Sequence, residues 1–246
     1  MNDLLNEVES VPRKTMTLFF VIDTSGSMAG NKIGAVNDAI VNVLPMLNDI
    51  SDSNADAEIK VAALEFSNGC QWLYSEPKLA NEFIWQDVTA SGLTSLGCAC
   101  SELASKLSRN GYMKSASGSY APAIILLSDG GPTDNYKSGL SKLQSNRWFN
   151  SAIKVAIAIG EDADKEVLKD FTGNIESVFT VHNIDALKQI IRIVAITSSQ
   201  IGSKSSSTGD STKQDQVIEE IKNDIENING AESANNIDSN TYDDWD

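Results

Sequence analysis

The chain has 246 residues, of which 34 are acidic and 19 are basic, so its formal net charge is −15 at pH 7. This length and a hydrophobic content of 41% are enough for one domain with its own core and an appendage. Because no basic stripe offsets the acidic charge, we expect no binding to nucleic acid or to anionic membranes. The N-terminal region is acidic where a signal peptide needs positive charge, and no apolar run is long enough to span a membrane, so we expect a cytoplasmic protein.

The charge is divided unevenly along the chain. Residues 203–246 contain eleven acidic and three basic residues, whereas residues 1–202 contain 23 acidic and 16 basic ones. We therefore expect an N-terminal segment (1–13), a globular domain (14–202) and an acidic, flexible, largely disordered tail (203–246). Within the tail, isoleucines at helical spacing predict a short amphipathic helix at about 216–228, which is too short to be stable without a partner surface. These are Ile218, Ile221, Ile225 and Ile228.

The first half of the domain alternates short apolar runs with longer segments of helical periodicity. Strands are predicted at Thr15–Ile22, Glu58–Phe66 and Cys70–Tyr74, and helices at 32–47 and 98–107. The first strand is almost continuously apolar, which is typical of a strand buried on both faces. Pro45 is expected to distort the end of the first helix. Asn68-Gly69 predicts a hairpin turn between the second and third strands, and hence one antiparallel edge.

The second half continues the alternation. Strands are predicted at Ala121–Ser128, Ile153–Ile159 and Ser177–Val181, and helices at about 136–149, at 164–171 with a stop at Gly173, and at 184–201. Strands that alternate with helices are typical of a parallel sheet with helices on both faces. We therefore predict an α/β fold of the doubly wound, Rossmann-like type, with a mostly parallel central sheet and one antiparallel edge strand.

The three cysteines, Cys70, Cys98 and Cys100, fit no zinc-binding spacing and cannot all pair. Cys98 and Cys100 are one residue apart, which is poor geometry for a bond between them. We therefore expect reduced cysteines in a reducing compartment.

A group of oxygen-bearing side chains follows the first buried strand. Asp23, Ser25 and Ser27 form the pattern D-x-S-x-S in a glycine-containing loop before a helix. Ligands of open α/β sheets bind at the carboxyl ends of the strands, where this loop must lie. The serines could also act only as helix N-caps, but a cap would not need the neighbouring carboxylate.

Two further residues are predicted to reach the same edge. Asp129 follows the buried strand that ends at Ser128, and Thr94 lies in a loop between Gly92 and Gly97. Two carboxylates and three hydroxyls are ligands that suit a hard divalent cation. The sequence therefore predicts a site for Mg²⁺, or alternatively Mn²⁺, at Asp23, Ser25, Ser27, Thr94 and Asp129. We read the nearby Asp134 as a structural cap or turn residue.

These motifs resemble those of the von Willebrand factor A (VWA) domain with a complete metal-ion-dependent adhesion site, and the resemblance covers roughly residues 14–202. It implies that Ser25 and Ser27 coordinate the metal directly and that Thr94 does so directly or through water. Asp23 and Asp129 are implied to act mostly through water. Neutral hydroxyls leave the cation with positive charge and an exchangeable water, so an acidic side chain of a partner can complete its shell.

The segment LLSDGGPTD (126–134) resembles more closely the TerY-type bacterial VWA proteins, which are associated with tellurium resistance. That resemblance implies a non-enzymatic member of a phosphorylation module, with a Ser/Thr protein kinase and a metal-dependent protein phosphatase as partners. Some relatives carry a cysteine-rich zinc ribbon at the C-terminus, where this chain has its acidic tail.

The residues of the chain disfavour other functions. A phosphatase with an aspartyl nucleophile would need a second aspartate two residues after Asp23, where this chain has Ser25. No phosphate-binding loop, dinucleotide fingerprint or kinase motif is present, so we expect no enzymatic activity. A scaffold that uses its tail helix, with a merely structural metal, remains an alternative. The acidic tail could also serve as a ligand for its own or a neighbouring metal site.

Overall fold

The computed structural model describes residues 12–204 and 212–235, and for residues 227–235 only the backbone. The described residues form a seven-stranded sheet with the strand order β3-β2-β1-β5-β6-β7 and β4 beside β2. The strands are β1 (Lys14–Asp23), β2 (Ala57–Phe66), β3 (Cys70–Trp72), β4 (Lys78–Leu79), β5 (Ala123–Ser128), β6 (Ile153–Ile159) and β7 (Val178–Val181).

The central strands are parallel, and this arrangement fixes where the functional edge lies. β1 runs between β2 and β5, parallel to both, with Phe19 opposite Ala62 and Ile124. Among the described strands, only the short β3 and β4 run antiparallel, both against β2 at one edge of the sheet. The predicted doubly wound, mostly parallel fold with an antiparallel edge is confirmed, although the sequence did not reveal β4. The carboxyl ends of β1 and β5 consequently lie side by side.

Helices cover both faces of the sheet. They are α1 (Asn31–Ser53), α2 (Leu96–Lys106), α3 (Tyr136–Gln144), α4 (Arg147–Ser151), α5 (Lys165–Thr172), α6 (Ile184–Gly202) and α7 (Lys213–Asn235). α1 and α6 bury their apolar sides on one face of the sheet, and α2 to α5 do so on the other. β1 contributes to both layers, since Phe20 points into the first and Phe19 into the second. No described helix is both long and apolar enough to cross a membrane.

Side-chain caps define where several helices begin and end. Asn146, Asp164 and Asn183 accept hydrogen bonds from the first-turn amides of α4, α5 and α6, the interaction expected of N-cap residues. Gly173 ends α5 in a left-handed conformation (φ +80°), as predicted from its position in the sequence. The cap at Asn146 also explains why the single irregular helix predicted at 136–149 is two helices.

The first helix is longer than predicted. α1 continues for eight residues beyond Pro45 and ends at Ser53, whereas its end was expected at Leu47. A proline removes one backbone hydrogen bond, but Leu47 and Ser51 are buried on the far side of it. The packing of this last part of α1 outweighs the lost hydrogen bond.

The expectation that all three cysteines are reduced is wrong. Cys70 and Cys98 form a disulfide, with their Cα atoms 6.0 Å apart, and only Cys100 is free and buried. The fold brings β3 next to the N-terminus of α2, a juxtaposition that residue spacing cannot show. Because disulfides are rare in reducing compartments, the cysteines no longer favour a cytoplasmic location, which stays a prediction.

The tail helix also differs from its prediction. α7 spans Lys213–Asn235 instead of about 216–228, and its Val217, Ile218 and Ile221 are buried against α6 and β6. Gln214 adds hydrogen bonds to the backbone N–H and C=O of Lys154 at 2.7 and 2.8 Å. The partner surface that this helix requires is therefore in the same chain. Residues 1–11, 205–211 and 236–246, and the side chain of Ile228, lie outside the described residues.

Candidate metal-binding site

Four of the five predicted site residues are joined by short contacts at the carboxyl edge of the sheet. Asp23 is the last residue of β1, and Asp129 directly follows the last residue of β5. Ser25 and Ser27 lie in the loop between β1 and α1. Because β1 and β5 are neighbours, the two aspartates approach each other although they are over a hundred positions apart in the chain.

Asp23 is completely buried and held by two donors. Its Oδ1 accepts a hydrogen bond from the Ser25 N–H at 2.9 Å, and its Oδ2 accepts one from the Ser128 hydroxyl at 2.6 Å. Burial raises the pKa of the Asp23 carboxyl, and these two donors, which favour the carboxylate, only partly oppose the shift. A cation nearby would stabilise the charge that the buried environment disfavours.

A chain of hydrogen bonds connects the two serines to the second aspartate. The Ser27 hydroxyl donates to Asp129 Oδ1 at 2.7 Å, and the Oγ atoms of Ser25 and Ser27 are 3.1 Å apart. The serine oxygens therefore face the same small space as the carboxylate of Asp129.

Asp129 has a cationic neighbour that the sequence motif did not indicate. The Lys32 Nζ lies 2.8 Å from Asp129 Oδ2. The Asp129 side chain is fully buried, whereas 19% of the Lys32 side chain is exposed. A buried carboxylate needs such a partner, since an unpaired charge in the interior is strongly unfavourable.

The loop that carries Thr94 is hydrogen-bonded, through its backbone, to the segments that carry the other site residues. The Thr94 N–H donates to the Thr133 hydroxyl and its C=O accepts from the Thr133 N–H, at 3.0 and 2.9 Å. Earlier in the same loop, the Ser91 N–H donates to the Thr24 C=O, and the Gly92 C=O accepts from the Gly26 N–H. The loop is thus fastened to both aspartate-bearing segments, and Thr94 is buried.

The hairpin turn after β2 accepts two hydrogen bonds from the Thr94 loop. Asn68 accepts a hydrogen bond from the Leu93 N–H at 3.0 Å, and the Ser67 C=O accepts one from the Ser95 N–H. Gly92 has a φ of +82°, and a Cβ atom there would lie 2.6 Å from the Asn68 side chain. The left-handed φ disfavours a residue with a Cβ atom at this position, and such an atom would also displace the Asn68 side chain.

Asp134 has the structural role predicted for it. Its carboxylate accepts hydrogen bonds from the N–H groups of Gly97 and Cys98, at 3.0 and 3.2 Å. These amides are in the first turn of α2 and have no partner within the helix. Asp134 therefore caps α2, which directly follows the Thr94 loop.

The donor set fits a hard divalent cation. Adjacent ligands of an octahedral Mg²⁺ ion, each about 2.1 Å from the metal, are separated by about 3.0 Å, close to the 3.1 Å between the serine oxygens. Across the described residues, no cluster of three or more His, Cys, Asp or Glu side chains is placed to share an ion. The arrangement of hydroxyls with outer carboxylates therefore differs from a typical His/Cys zinc centre.

Three supporting residues escaped the sequence analysis. Ser128 binds Asp23, Lys32 binds Asp129 and Asn68 supports the Thr94 loop. Ser128 offered a signal, because it is the one hydroxyl residue in the otherwise apolar run Ala123–Ser128. Asn68 was predicted only as a turn residue, and Lys32 stands in no distinctive pattern, since the partners of both come from distant parts of the chain.

The fold and the site together define the class of protein. Residues 17–193 match the von Willebrand factor type A domain, and the chain belongs to this family. Domains of this family are typically non-enzymatic modules for protein interaction and adhesion, and they bind a divalent metal at the metal-ion-dependent adhesion site.

A mouse protein is similar to about half of the chain. The chain is 30% identical over 132 residues to inter-alpha-trypsin inhibitor heavy chain 4 of Mus musculus, a match to 51% of this chain and 13% of that protein. The chain thus spans only a small part of this relative's length.

Solved structures show the same fold at low sequence identity. The ArnB paralog VWA2 of Sulfolobus acidocaldarius is 19% identical with a TM-score of 0.54, over 74% of this chain and 46% of that one. Proximal thread matrix protein 1 of the mussel byssus, with a zinc-occupied MIDAS motif, is 20% identical with a TM-score of 0.53, over 77% and 47%. The pilus adhesin SpaC of Lactobacillus rhamnosus GG is 17% identical with a TM-score of 0.59, over 76% and 30%.

Proposed function

We propose that this protein is a non-enzymatic binding module that captures an acidic side chain of a partner protein through a divalent metal. Mg²⁺, or alternatively Mn²⁺, would be held by Ser25, Ser27 and Thr94, with Asp23 and Asp129 behind them. The observation that carries the proposal is the convergence of two serine hydroxyls and two buried carboxylates at one sheet edge. The zinc-occupied site of the mussel protein supports metal binding at such a motif.

The ligand types explain why an acidic partner fits. Three neutral hydroxyls do not neutralise a divalent cation, so the bound metal keeps an affinity for one more anionic oxygen. Ser27, Gly26 and Gly92 are exposed at the rim of the site, so a side chain from another protein has a path to it.

Calorimetric titration of Mg²⁺ and Mn²⁺ tests the site directly. We expect wild type to bind one ion, and Asp23→Ala and Ser27→Ala to lose most of this affinity. Ser91→Ala is the matched control, because Ser91 is exposed on the same rim and its backbone makes its described contact. Equal binding by wild type and Asp23→Ala would show that the site is assigned to the wrong residues.

For the partners, we propose a Ser/Thr protein kinase and a metal-dependent protein phosphatase, as in the modules of TerY-type proteins. The support is the sequence LLSDGGPTD (126–134), which carries Asp129 and the capping Asp134. Purified candidate kinase and phosphatase would be tested for capture in Mg²⁺ and in a chelator. Capture that is the same in both conditions would contradict a metal-bridged complex.

The tail is a second candidate for the functional part of the protein, either through α7 as a scaffold surface or through its acidic residues as a metal ligand. The packing of α7 disfavours the scaffold surface. Val217, Ile218 and Ile221 are already buried against this domain, so they are not available to another protein while α7 is docked. The acidic residues beyond α7 remain a proposed ligand for this or a neighbouring metal site. Deletion of residues 236–246 should then change metal affinity or oligomeric state, and unchanged values for both would rule the tail out as a ligand.

A further inference from the structure

Lys32 stands at a position where helix electrostatics disfavour a cation. It is the second residue of α1, whose first turn contains no acidic residue and whose N-cap, Gly30, provides no side-chain cap. The N-terminus of a helix carries partial positive charge, so a lysine there is unfavourable by itself. The contact of 2.8 Å with the fully buried carboxylate of Asp129 compensates for this position.

The formal charges of the five proposed site residues and Lys32 can be counted. Asp23 and Asp129 contribute two negative charges when both are ionised, and Ser25, Ser27 and Thr94 contribute none. With these residues alone, a divalent metal would bring the site to neutrality, and a partner carboxylate would leave it negative. With Lys32 included, the metal-loaded site has one net positive charge, which a single carboxylate neutralises.

We propose that Lys32 sets the charge balance of this site, weakening metal binding and strengthening the capture of one carboxylate by the bound metal. The inference rests on the proposed function, since it concerns the same metal site. The ion pair also keeps Asp129 Oδ2 engaged with an ammonium group, so that oxygen is less available to the metal. The bound cation consequently retains more of its charge for the ligand that arrives from the partner.

Removal of the Lys32 charge should raise the affinity of the site for Mn²⁺ and lower the affinity of the Mn²⁺-loaded site for acetate. Lys32→Gln should bind Mn²⁺ about tenfold more tightly than wild type, because a like charge has been removed from the surroundings of the ion. The Mn²⁺-loaded variant should bind acetate about threefold or more weakly, because the loaded site is then neutral. Lys32→Arg keeps the charge and should behave as wild type in both measurements.

The experiment uses the full chain, with Mn²⁺ affinity measured by calorimetry and by competition with a chelator. Acetate binding is followed by the loss of water-proton relaxation as acetate displaces water from the bound Mn²⁺. Lys142→Gln, an exposed lysine on α3, is the control for the loss of one surface charge. If Lys32→Gln is unstable without metal because Asp129 loses its partner, it is purified with Mn²⁺ and the chelator competition gives the same ratio of affinities.

The outcomes separate this inference from the proposed function. Tighter Mn²⁺ and weaker acetate binding by Lys32→Gln, with Lys32→Arg and Lys142→Gln unchanged, support it. An equal or weaker Mn²⁺ affinity of Lys32→Gln, an unchanged acetate affinity, or the same shifts in Lys142→Gln overturn it while the metal site stands. Failure of wild type to bind Mn²⁺ at all overturns the proposed function and this inference together.

Discussion

The single residue that best shows the conflict between stability and function is Asp23. Its side chain is completely buried, and burial is the main reason why its pKa lies above the usual value of 3.8. Ser128 and Ser25 donate hydrogen bonds to its carboxylate but do not cancel the effect of burial. Without a cation, the ionised form of Asp23 is therefore a disadvantage for the folded state.

This conflict predicts a pH dependence of the metal-free protein. A carboxyl whose pKa is raised on folding contributes stability below the unfolded pKa of about 4, and this contribution is lost as the pH rises through the folded pKa. Asp23→Asn has no charge to bury, so its free energy of unfolding should increase relative to that of wild type between pH 4 and pH 7. Urea unfolding of the two proteins in a chelating buffer measures this difference in the free energy of unfolding.

Added Mg²⁺ provides the control for this comparison. It should stabilise wild type at pH 7 and leave Asp23→Asn unchanged, because only wild type retains the carboxylate that supports the ion. Parallel pH profiles for the two metal-free proteins would contradict the assigned cause.

At the scale of elements, the Thr94 loop depends on one glycine. Gly92 adopts a left-handed backbone conformation against Asn68, and the neighbouring amides fasten the loop to the hairpin and to the loop after β1. The position of Thr94 is therefore determined by contacts made elsewhere in the loop. A substitution of Gly92 should therefore change the affinity for the metal, although Gly92 is not a proposed ligand.

We expect Gly92→Ala to lower the free energy of unfolding by about 1–2 kcal/mol, the cost of a left-handed conformation for a residue with a Cβ atom. Displacement of the loop should also weaken Mg²⁺ binding in calorimetry. Gly34→Ala is the matched control, because a Cβ atom there meets nothing within 4 Å and Gly34 lies inside α1. Equal effects of the two substitutions would show that Gly92 has no special role.

A second element, α7, is expected to stabilise the domain without serving the metal site. Its first turn is fastened to Lys154 near the start of β6, whereas the site lies at the carboxyl ends of the strands. Ile221→Ala should lower the free energy of unfolding by about 2–4 kcal/mol and leave the affinity for Mn²⁺ unchanged. Urea unfolding measures the change in stability, and calorimetry measures the affinity for Mn²⁺.

The exposed Glu220 on the same helix supplies the control. Glu220→Ala should change neither stability nor metal affinity appreciably, since surface substitutions have small effects. A loss of metal affinity in Ile221→Ala would instead show that α7 is coupled to the site.

At the scale of the whole molecule, the cysteines offer a test of how distant segments meet. The chain has three cysteines, of which Cys70 and Cys98 are paired and Cys100 is buried. Burial raises the pKa of the Cys100 thiol to about 12, so it is protonated and unreactive at neutral pH. The disulfide closes a loop of 28 residues in sequence separation, for which a stabilisation of about 3 kcal/mol is typical.

Thiol titration should give no reactive thiol in the native protein, one in denaturant without reductant, and three after reduction. The protein must be purified without reductant, so that a disulfide present in the native protein is kept. Three thiols in denaturant without reductant would show that Cys70 and Cys98 do not pair. Cys100→Ser should remove the single thiol seen in denaturant without altering the native value.

The sequence alone established every named strand except β4, the type of fold and the edge that holds the candidate site. Continuous apolar runs mark strands that are buried on both faces, and Asp23 and Asp129 each follow such a run. Parallel strands place their carboxyl ends at one edge, so the position of the aspartates in the chain was enough to bring them together. These features are local, and each can be inferred from a few consecutive residues.

The tertiary structure decided which distant side chains meet. Lys32 binds Asp129 across 97 positions, Ser128 binds Asp23 across 105, and Cys70 pairs with Cys98 across 28. α7 finds its surface on α6 and β6, which no periodicity within α7 could indicate. Such contacts depend on the order of the strands and the packing of the helices, and these are properties of the whole chain rather than of any segment.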